Sequence, residues 1–146
     1  MIFGDVPLTQ AKGAILAHSQ TLPAGRLAKG MVLEANHITQ LQAAGIETVT
    51  VARLDADDMG ENAAASMFGH AFCAADPNLR MSNAHTGRVN LYARASGVMA
   101  VDRDAINGFN AINPMVTIAT VPQFQRLSCG DMVATIKIIS YGVPNA

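Results

Sequence analysis

The apolar residues of this chain fall in short segments, and turn-forming residues close each of them. None of these segments approaches the ~20 apolar residues that a helix needs to cross a bilayer. Half of the 146 residues are apolar, yet only five are Phe, two are Tyr and none is Trp. A core of this composition requires close packing of small aliphatic side chains on short helices and strands.

The most clearly bounded unit lies in the first third of the chain. Residues 35–44 are predicted to form a helix, because their apolar side chains lie one turn apart. Gly45 can adopt the left-handed conformation that ends a helix, with Ile46 folding back onto Leu41. The alternating segment 48–53 then predicts a strand.

A buried strand is predicted over residues 13–18 and a second helix over residues 59–73. Asp58 and Glu61 have the spacing of a capping box at the start of that helix. The neighbouring acidic residues, Asp55 included, are explained in the same way by stabilisation of a helix N-terminus.

The second half of the chain is predicted to be rich in strands. Residues 88–94 alternate between polar and apolar side chains, and residues 97–101 and 116–121 give two further strands. The run 132–140 is apolar on both faces over most of its length, which predicts a central strand. Asp102 is expected to cap a short helix. The fold class is thus α+β, with short mixed strands in a small barrel or sandwich-like β half and about three helices.

This length fits one domain, residues 1–146. The order of the elements divides it into two lobes. Residues 1–76 form a strand–helix–strand unit followed by a helix, and residues 77–146 form the strand-rich half with one short helix.

Charge and cysteine content exclude several classes of protein. Ten Lys and Arg balance eleven Asp and Glu, whereas a general nucleic-acid-binding surface needs clustered excess cations. The spacing of Cys73 and Cys129 fits neither a paired-ligand zinc site nor a disulfide scaffold. The first residues lack the basic start and apolar core of a secretory signal. We therefore expect a cytoplasmic protein with neither a nucleic-acid nor a membrane partner.

Six segments of the chain together resemble one bacterial family. They are Phe3–Leu8, Gly13–Ser19, Leu22–Gly30, Leu41–Ile46, Thr86–Leu91 and Met132–Ile139. In this order they are similar to the opening region of a molybdopterin-binding family, and they extend over nearly the whole chain.

This resemblance implies a place in molybdenum cofactor biosynthesis. In longer members this region precedes a MoeA/MogA-like molybdopterin-binding domain, which can be fused to a MobA-like nucleotidyltransferase (cytidylyltransferase). The Gly-Gly-x-Ser signature of the molybdopterin-binding domain is absent, so we expect that domain to be missing here, and the family's catalytic residues have no positions in this chain. The resemblance then implies a non-catalytic N-terminal binding or scaffolding region. It would carry no cofactor of its own, while molybdopterin would be the ligand of the full-length protein, a molybdenumtransferase or a cofactor nucleotidyltransferase.

The best candidate for ligand contact begins at His85. Thr86 offers a hydroxyl group, and Gly87 allows the backbone to approach a ligand closely. Arg88 can hold a phosphate or a carboxylate through two parallel hydrogen bonds.

Arg88 shares one face of the predicted strand with Asn90, Tyr92 and Arg94. Together these side chains could line a groove for molybdopterin or a related phosphorylated small molecule. The alternative interpretation is that a strand face exposed to solvent is polar by default.

Two other functions remain open at this stage. One is a small stand-alone enzyme with a pocket around His85 and Arg88, joined by Asp102. The other is a purely structural oligomerisation module, in which the polar strand face is buried against a second copy. A homo-oligomer is expected on either the scaffolding or the structural interpretation.

No metal site is predicted. No two of the four histidines lie three to five residues apart, and no cysteine or carboxylate pair stands at ligand spacing beside them. His18 lies on a short apolar strand and is expected to be an interior histidine.

One short internal echo links the two halves. The segment Lys29-Gly30-Met31-Val32 resembles Cys129-Gly130-Asp131-Met132-Val133. Each is typical of a turn glycine that leads into an apolar strand, which is a common pattern.

Overall fold

The computed structural model describes residues 1–145 and has the predicted α+β architecture. Its helices are α1 (Leu8–Ala11), α2 (Ala35–Ala43), α3 (Glu61–Ala75) and α4 (Arg103–Ile112). Its strands are β1 (Ile2–Pro7), β2 (Ile15–Leu16), β3 (Gln20–Leu22), β4 (Gly25–Leu27), β5 (Thr48–Arg53), β6 (Asp58–Gly60), β7 (Leu79–Met81), β8 (Arg88–Ala93), β9 (Gly97–Val98), β10 (Val116–Thr120), β11 (Arg126–Leu127), β12 (Met132–Ile138) and β13 (Gly142–Pro144). The sheets formed within residues 1–145 are open, so the strand-rich half is not a closed barrel.

The chain forms two compact units. One comprises Met1–Asp58 together with Pro144 and Asn145, and the other comprises Met59–Val143. The sequence predicts the boundary between the two lobes after residue 76, whereas the compact units divide after Asp58. The difference arises because α3 belongs with the second unit, where its fully buried Ala64 lies in the same apolar cluster as Val89.

The first unit is built on the antiparallel sheet β1–β5–β2. Leu16 of β2 and Leu41 of α2 are fully buried in its core. Helix α2 ends as predicted, since Gly45 has a φ of 74° and the amide of Ile46 donates to the carbonyl of Leu41 at 3.1 Å. This reversal satisfies carbonyls that the last helical turn would otherwise leave without a partner.

The strand expected over residues 13–18 is limited to the two residues of β2. Gly13 precedes it with a φ of 78°, and the chain bends at Ala17 and His18 directly after it. His18 is exposed in this bend, so the prediction of an interior histidine is wrong.

The second unit is built on the antiparallel sheet β10–β12–β8–β7. β12 lies between β10 and β8, which confirms the prediction of a central strand. Val89, Leu91 and Ile136 are at most 1% exposed and lie in one apolar cluster with residues of α3. Because side chains alternate along a strand, the polar residues of β8 lie on the opposite face.

The predicted capping box at the start of α3 is wrong. Gly60 is the N-cap residue, and Asp58 lies in β6. The Asp58 carboxylate instead accepts the Asp55 amide at 2.8 Å and pairs with the amino group of Met1 at 2.7 Å. The acidic residue is therefore held by a partner that is distant in sequence.

Helix α4 begins as predicted, because the carboxylate of Asp102 accepts the amide of Ala105 at 3.0 Å. Farther along this helix, the Asn110 side chain binds both backbone groups of Ile118. Its carbonyl oxygen accepts the Ile118 amide at 2.8 Å, and its amide donates to the Ile118 carbonyl at 3.0 Å. Asn110 thus occupies hydrogen-bonding groups of the edge strand β10 that would otherwise be open.

Candidate anion-binding face

The candidate site is the polar face of the sheet in the second unit. We call it the basic face and define it by residues of all four strands that lie opposite the apolar cluster. They are Arg80, Arg88, Asn90, Tyr92, Thr117, Thr135 and Lys137. Residues paired directly across antiparallel strands project their side chains on the same side, so the strand register brings this set together.

The charges on the basic face are all positive. Arg88 of β8 lies directly opposite Lys137 of β12, and Arg80 lies opposite Tyr92. The four strands contain no Asp or Glu. Within residues 1–145, no carboxylate lies within 4.0 Å of the charged groups of Arg80, Arg88 or Lys137. Like charges directly opposite each other destabilise a strand pair, so an anion bound here would relieve repulsion.

A chain of contacts holds the polar side chains beside these cations. The guanidinium of Arg80 lies over the Tyr92 ring, 4.6 Å from its centre. The side-chain Nδ2 of Asn90 donates to the Tyr92 hydroxyl at 3.3 Å, and the Thr135 hydroxyl donates to the side-chain Oδ1 of Asn90 at 2.8 Å. These contacts restrict the orientations of the side chains.

The segment singled out from the sequence forms a two-residue hairpin turn. His85 and Arg88 exchange backbone hydrogen bonds, both of 3.0 Å. Thr86 and Gly87 lie between them with φ values of 47° and 68°, which is typical of a type I′ turn. A β-branched residue rarely adopts positive φ, so Thr86 is held in a strained conformation.

Gly87 is required for packing within the protein. It is buried, and a Cβ atom added to it would lie 2.8 Å from the Ile138 carbonyl oxygen and 2.9 Å from Glu61 Oε2. Its amide donates to Asn62 Oδ1 at 2.9 Å, and its carbonyl accepts the Ile138 amide at 2.7 Å. The backbone of Gly87 thus lies close to other atoms, as expected, and those atoms belong to α3 and to the end of β12.

The structure separates the predicted site residues into those on the basic face and those away from it. Arg88 and Asn90 lie on the basic face, whereas Arg94 follows the end of β8 and its Nε donates to the Leu79 carbonyl at 2.7 Å. His85 and Thr86 are exposed in the turn.

Sequence reasoning missed Arg80, Thr117, Thr135 and Lys137. Lys137 stands out in the alternation of β12, and its ammonium donates to the Thr86 carbonyl. The alternation within each strand was a usable signal for these residues. What joins them into one site is the register between strands that are distant in sequence.

A pocket of about 360 Å³ lies beside β7 and β9, next to Asp76, Asn78 and Ser96. His85, Arg88 and Asp102 are not among its lining residues, and the Asp102 carboxylate caps α4. The three residues of the enzyme hypothesis are therefore not brought together in this pocket.

The acidic cluster binds the chain's own amino group. The Met1 ammonium lies 2.5 Å from Asp55 and 2.7 Å from Asp58. Hydrogen bonds to Asp55 and Asp58 raise the pKa of this amino group above its ordinary value. The hydrogen bond from the amino group, followed by that from the Asp55 amide, lowers the pKa of Asp58.

Within the part of the chain that the structure describes, no group of three or more His, Cys, Asp or Glu could hold a metal ion. Of the helices in residues 1–145, none has the length and apolar character required to cross a membrane.

One family model matches the chain, over residues 5–53, and it describes a domain of unknown function, DUF8806. The matched residues run from within β1 to the end of β5, in the first unit. The basic face lies outside them. No curated protein and no solved structure matches the chain.

Proposed function

We propose that the basic face binds the phosphate group of a phosphorylated small molecule. The observation that carries this proposal is the position of Arg88 directly opposite Lys137, in a sheet whose four strands contain no acidic residue. A phosphate dianion placed between these side chains would replace their repulsion with two charge-assisted interactions.

The basic face has donors available for such a ligand. Arg88 is exposed, and its planar guanidinium can bind two phosphate oxygens at once. The Lys137 ammonium has three hydrogens, one of which is used at the Thr86 carbonyl. The Tyr92 hydroxyl accepts from Asn90, which leaves its own hydrogen free to donate.

The ligand class that we propose is molybdopterin or a related phosphorylated pterin. The support is the resemblance of six segments to the opening region of a molybdopterin-binding family. On this proposal the chain is a cytoplasmic, non-catalytic binding region in molybdenum cofactor biosynthesis. A following domain or a second subunit would complete the pterin site, because ligand sites favour such boundaries.

The first experiment is a titration of isotope-labelled protein with pyrophosphate, followed by NMR at constant ionic strength. We expect saturable shifts at the amides of Arg88, Asn90 and Lys137. Lys137→Gln should weaken binding about tenfold, the loss of one charge-assisted interaction. Arg126→Gln removes the same charge from the separate β11–β9 sheet and should weaken binding less than about twofold by loss of long-range attraction alone.

Three results would contradict the proposal. They are the absence of saturable shifts, equal weakening by the two variants, and tighter binding of single-stranded RNA than of pyrophosphate. The pterin class is tested separately with a phosphorylated pterin and its dephosphorylated form. Equal affinity for the two forms would show that the phosphate is not recognised.

A further inference from the structure

Leu16 of β2 lies at the centre of a distinctive hydrogen-bond arrangement in the first unit. Its carbonyl accepts the Gly30 amide at 2.8 Å, and its amide donates to the Met31 carbonyl at 2.9 Å. Gly30 has a φ of 87°. Three residues after Leu16, the Ser19 hydroxyl accepts the Lys29 amide at 3.0 Å and so closes the turn.

Ala93 of β8 lies at the centre of the same arrangement in the second unit. Its carbonyl accepts the Gly130 amide at 2.8 Å, and its amide donates to the Asp131 carbonyl at 2.9 Å. Gly130 has a φ of 94°. Three residues after Ala93, the Ser96 hydroxyl accepts the Cys129 amide at 3.3 Å. Each of these three bonds of the first unit thus has a counterpart here.

The strand pairs around these centres also correspond. Directly after each serine, a short strand pairs with the strand that precedes the turn: Gln20 lies opposite Leu27, and Gly97 lies opposite Leu127. Both leucines are 6% exposed, and each follows an arginine. We call residues 15–33 the first motif and residues 92–133 the second motif.

The correspondence extends to the strand on the other side. In the first unit, the Ala17 amide donates to the Thr50 carbonyl of β5 at 2.9 Å. In the second, the Arg94 amide donates to the carbonyl of Asn78, the residue before β7, at 2.7 Å. β5 follows its motif in the chain whereas β7 precedes its own, so the shared arrangement is one of position in space.

The motifs differ in how their paired strands are connected. In the first motif Pro23 and Ala24 join β3 to β4. In the second motif the chain leaves after Met99, forms α4 and β10, and returns to pair at Gln125, whose carbonyl accepts the Met99 amide at 2.9 Å. A long excursion therefore takes the place of a two-residue turn.

We propose that the two motifs are copies of one structural unit and that an anion-binding face adjoins the second copy alone. The assignment of the anion-binding face to the second copy rests on the function proposed above. The register supports it: Tyr92 and its partner Arg80 correspond to Ile15 and its partner Ala52. Ala52 is fully buried, and neither Ile15 nor Ala52 has a polar side chain. The hydroxyl of Tyr92 in the second copy and the guanidinium of Arg80 beside it thus have no counterpart at the corresponding positions of the first unit.

Hydrogen exchange followed by NMR tests the duplication of the motif without a ligand. Ser19→Ala should speed exchange of the Lys29 amide several-fold and leave the Cys129 amide unchanged. Ser96→Ala should do the reverse, because each serine closes its own turn. If either variant leaves both amides unchanged, the two motifs do not share this bond and the duplication is overturned.

Pyrophosphate titration tests whether the anion-binding face adjoins the second copy alone. Arg80→Ala gives Tyr92 the same pairing residue that Ile15 has in the first unit, and it should weaken binding several-fold, whereas Arg126→Ala should leave the affinity within twofold. Equal affinity of Arg80→Ala and the unmodified protein, or saturable shifts within residues 15–33, would overturn the assignment to the second copy. If the unmodified protein does not bind pyrophosphate, both the proposed function and the assignment of the anion-binding face to the second copy are wrong. The hydrogen-exchange result still decides whether the motifs are duplicated.

Discussion

Gly69 of α3 lies so close to β8 that an added Cβ atom would be 2.9 Å from Cγ1 of Val89. The same atom would be 3.1 Å from the sulfur of Met81 on β7. The missing side chain at Gly69 therefore sets how near the helix lies to the sheet that carries the basic face.

We expect Gly69→Ala and Gly108→Ala to change stability in opposite directions. Both glycines lie within helices, but a Cβ at Gly108 of α4 meets nothing within 4 Å. Gly108→Ala should raise the free energy of unfolding by about 0.5–1 kcal/mol through helix propensity. Gly69→Ala should lower it by about 1–2 kcal/mol, because overpacking against the branched Val89 outweighs that gain. Urea unfolding measures both variants, and a stabilised Gly69→Ala protein would contradict this packing.

Thr86→Asn should stabilise the hairpin turn between His85 and Arg88. Thr86 has a φ of 47°, and Asn-Gly is the dipeptide that type I′ turns favour. The free energy of unfolding should rise by about 0.5–1 kcal/mol. Thr86→Val, which keeps the β-branch, serves as the control and should bring no such gain in thermal or urea unfolding.

Gly87→Ala should be strongly destabilising. The added Cβ would lie 2.8 Å from the Ile138 carbonyl oxygen, a backbone atom, and Gly87 has a φ of 68°. Left-handed strain together with overpacking should lower the free energy of unfolding by about 2–4 kcal/mol. The matched change Gly130→Ala shares the positive φ without a neighbour within 4 Å, so the difference between the two variants isolates the steric part. Equal losses would show that Gly87 is not closely packed.

Asn110→Ala should expose the edge of β10. The Ile118 amide and carbonyl would lose their partners, and the free energy of unfolding should fall by about 2 kcal/mol. Hydrogen exchange at the Ile118 amide should become faster as well. Asn107→Ala, at an exposed position of the same helix, should leave the exchange unchanged and raise the free energy of unfolding by at most about 0.7 kcal/mol through helix propensity. Unchanged exchange at Ile118 in the Asn110 variant would contradict the proposed edge contact.

The ion pair between Met1 and Asp58 predicts a stability plateau between about pH 4 and pH 8. The pKa of Asp58 is lowered by the amino group, so its contribution is present above the ordinary carboxyl pKa and is lost as the pH falls. The pKa of the amino group is raised, chiefly by Asp55, so its contribution is present below its ordinary value and is lost as the pH rises.

Thermal unfolding from pH 3 to pH 10 checks this prediction on a chain that begins at Met1. Asp58→Asn should lower the melting temperature on the plateau, flatten the decline at low pH and only reduce the decline at high pH, because Asp55 is the larger cause of the raised pKa of the amino group. Asp57→Asn is the matched control, because within residues 1–145 the contact of Asp57 is made by its backbone carbonyl, which accepts the Asn145 amide. Identical pH profiles for the two variants would rule out the pairing at Asp58.

Much of the basic face could be predicted one strand at a time. The alternation of β8 placed Val89 and Leu91 inside and Arg88 and Asn90 outside, as the structure has them. The same alternation predicts that Arg94 lies on the face of Arg88 and Asn90, but β8 ends at Ala93. The alternation of side chains along one strand does not show at which residue the strand stops pairing with its neighbours.

The sequence by itself determined the features whose causes lie within a few residues. The end of α2 at Gly45, the cap of α4 at Asp102 and the central character of β12 follow from local backbone preferences and side-chain periodicity. Only the tertiary structure decided that Lys137 lies opposite Arg88 and that Gly87 is buried against Ile138. These relationships join residues about fifty positions apart, and they depend on the strand register and the way the helix packs, which no local pattern specifies.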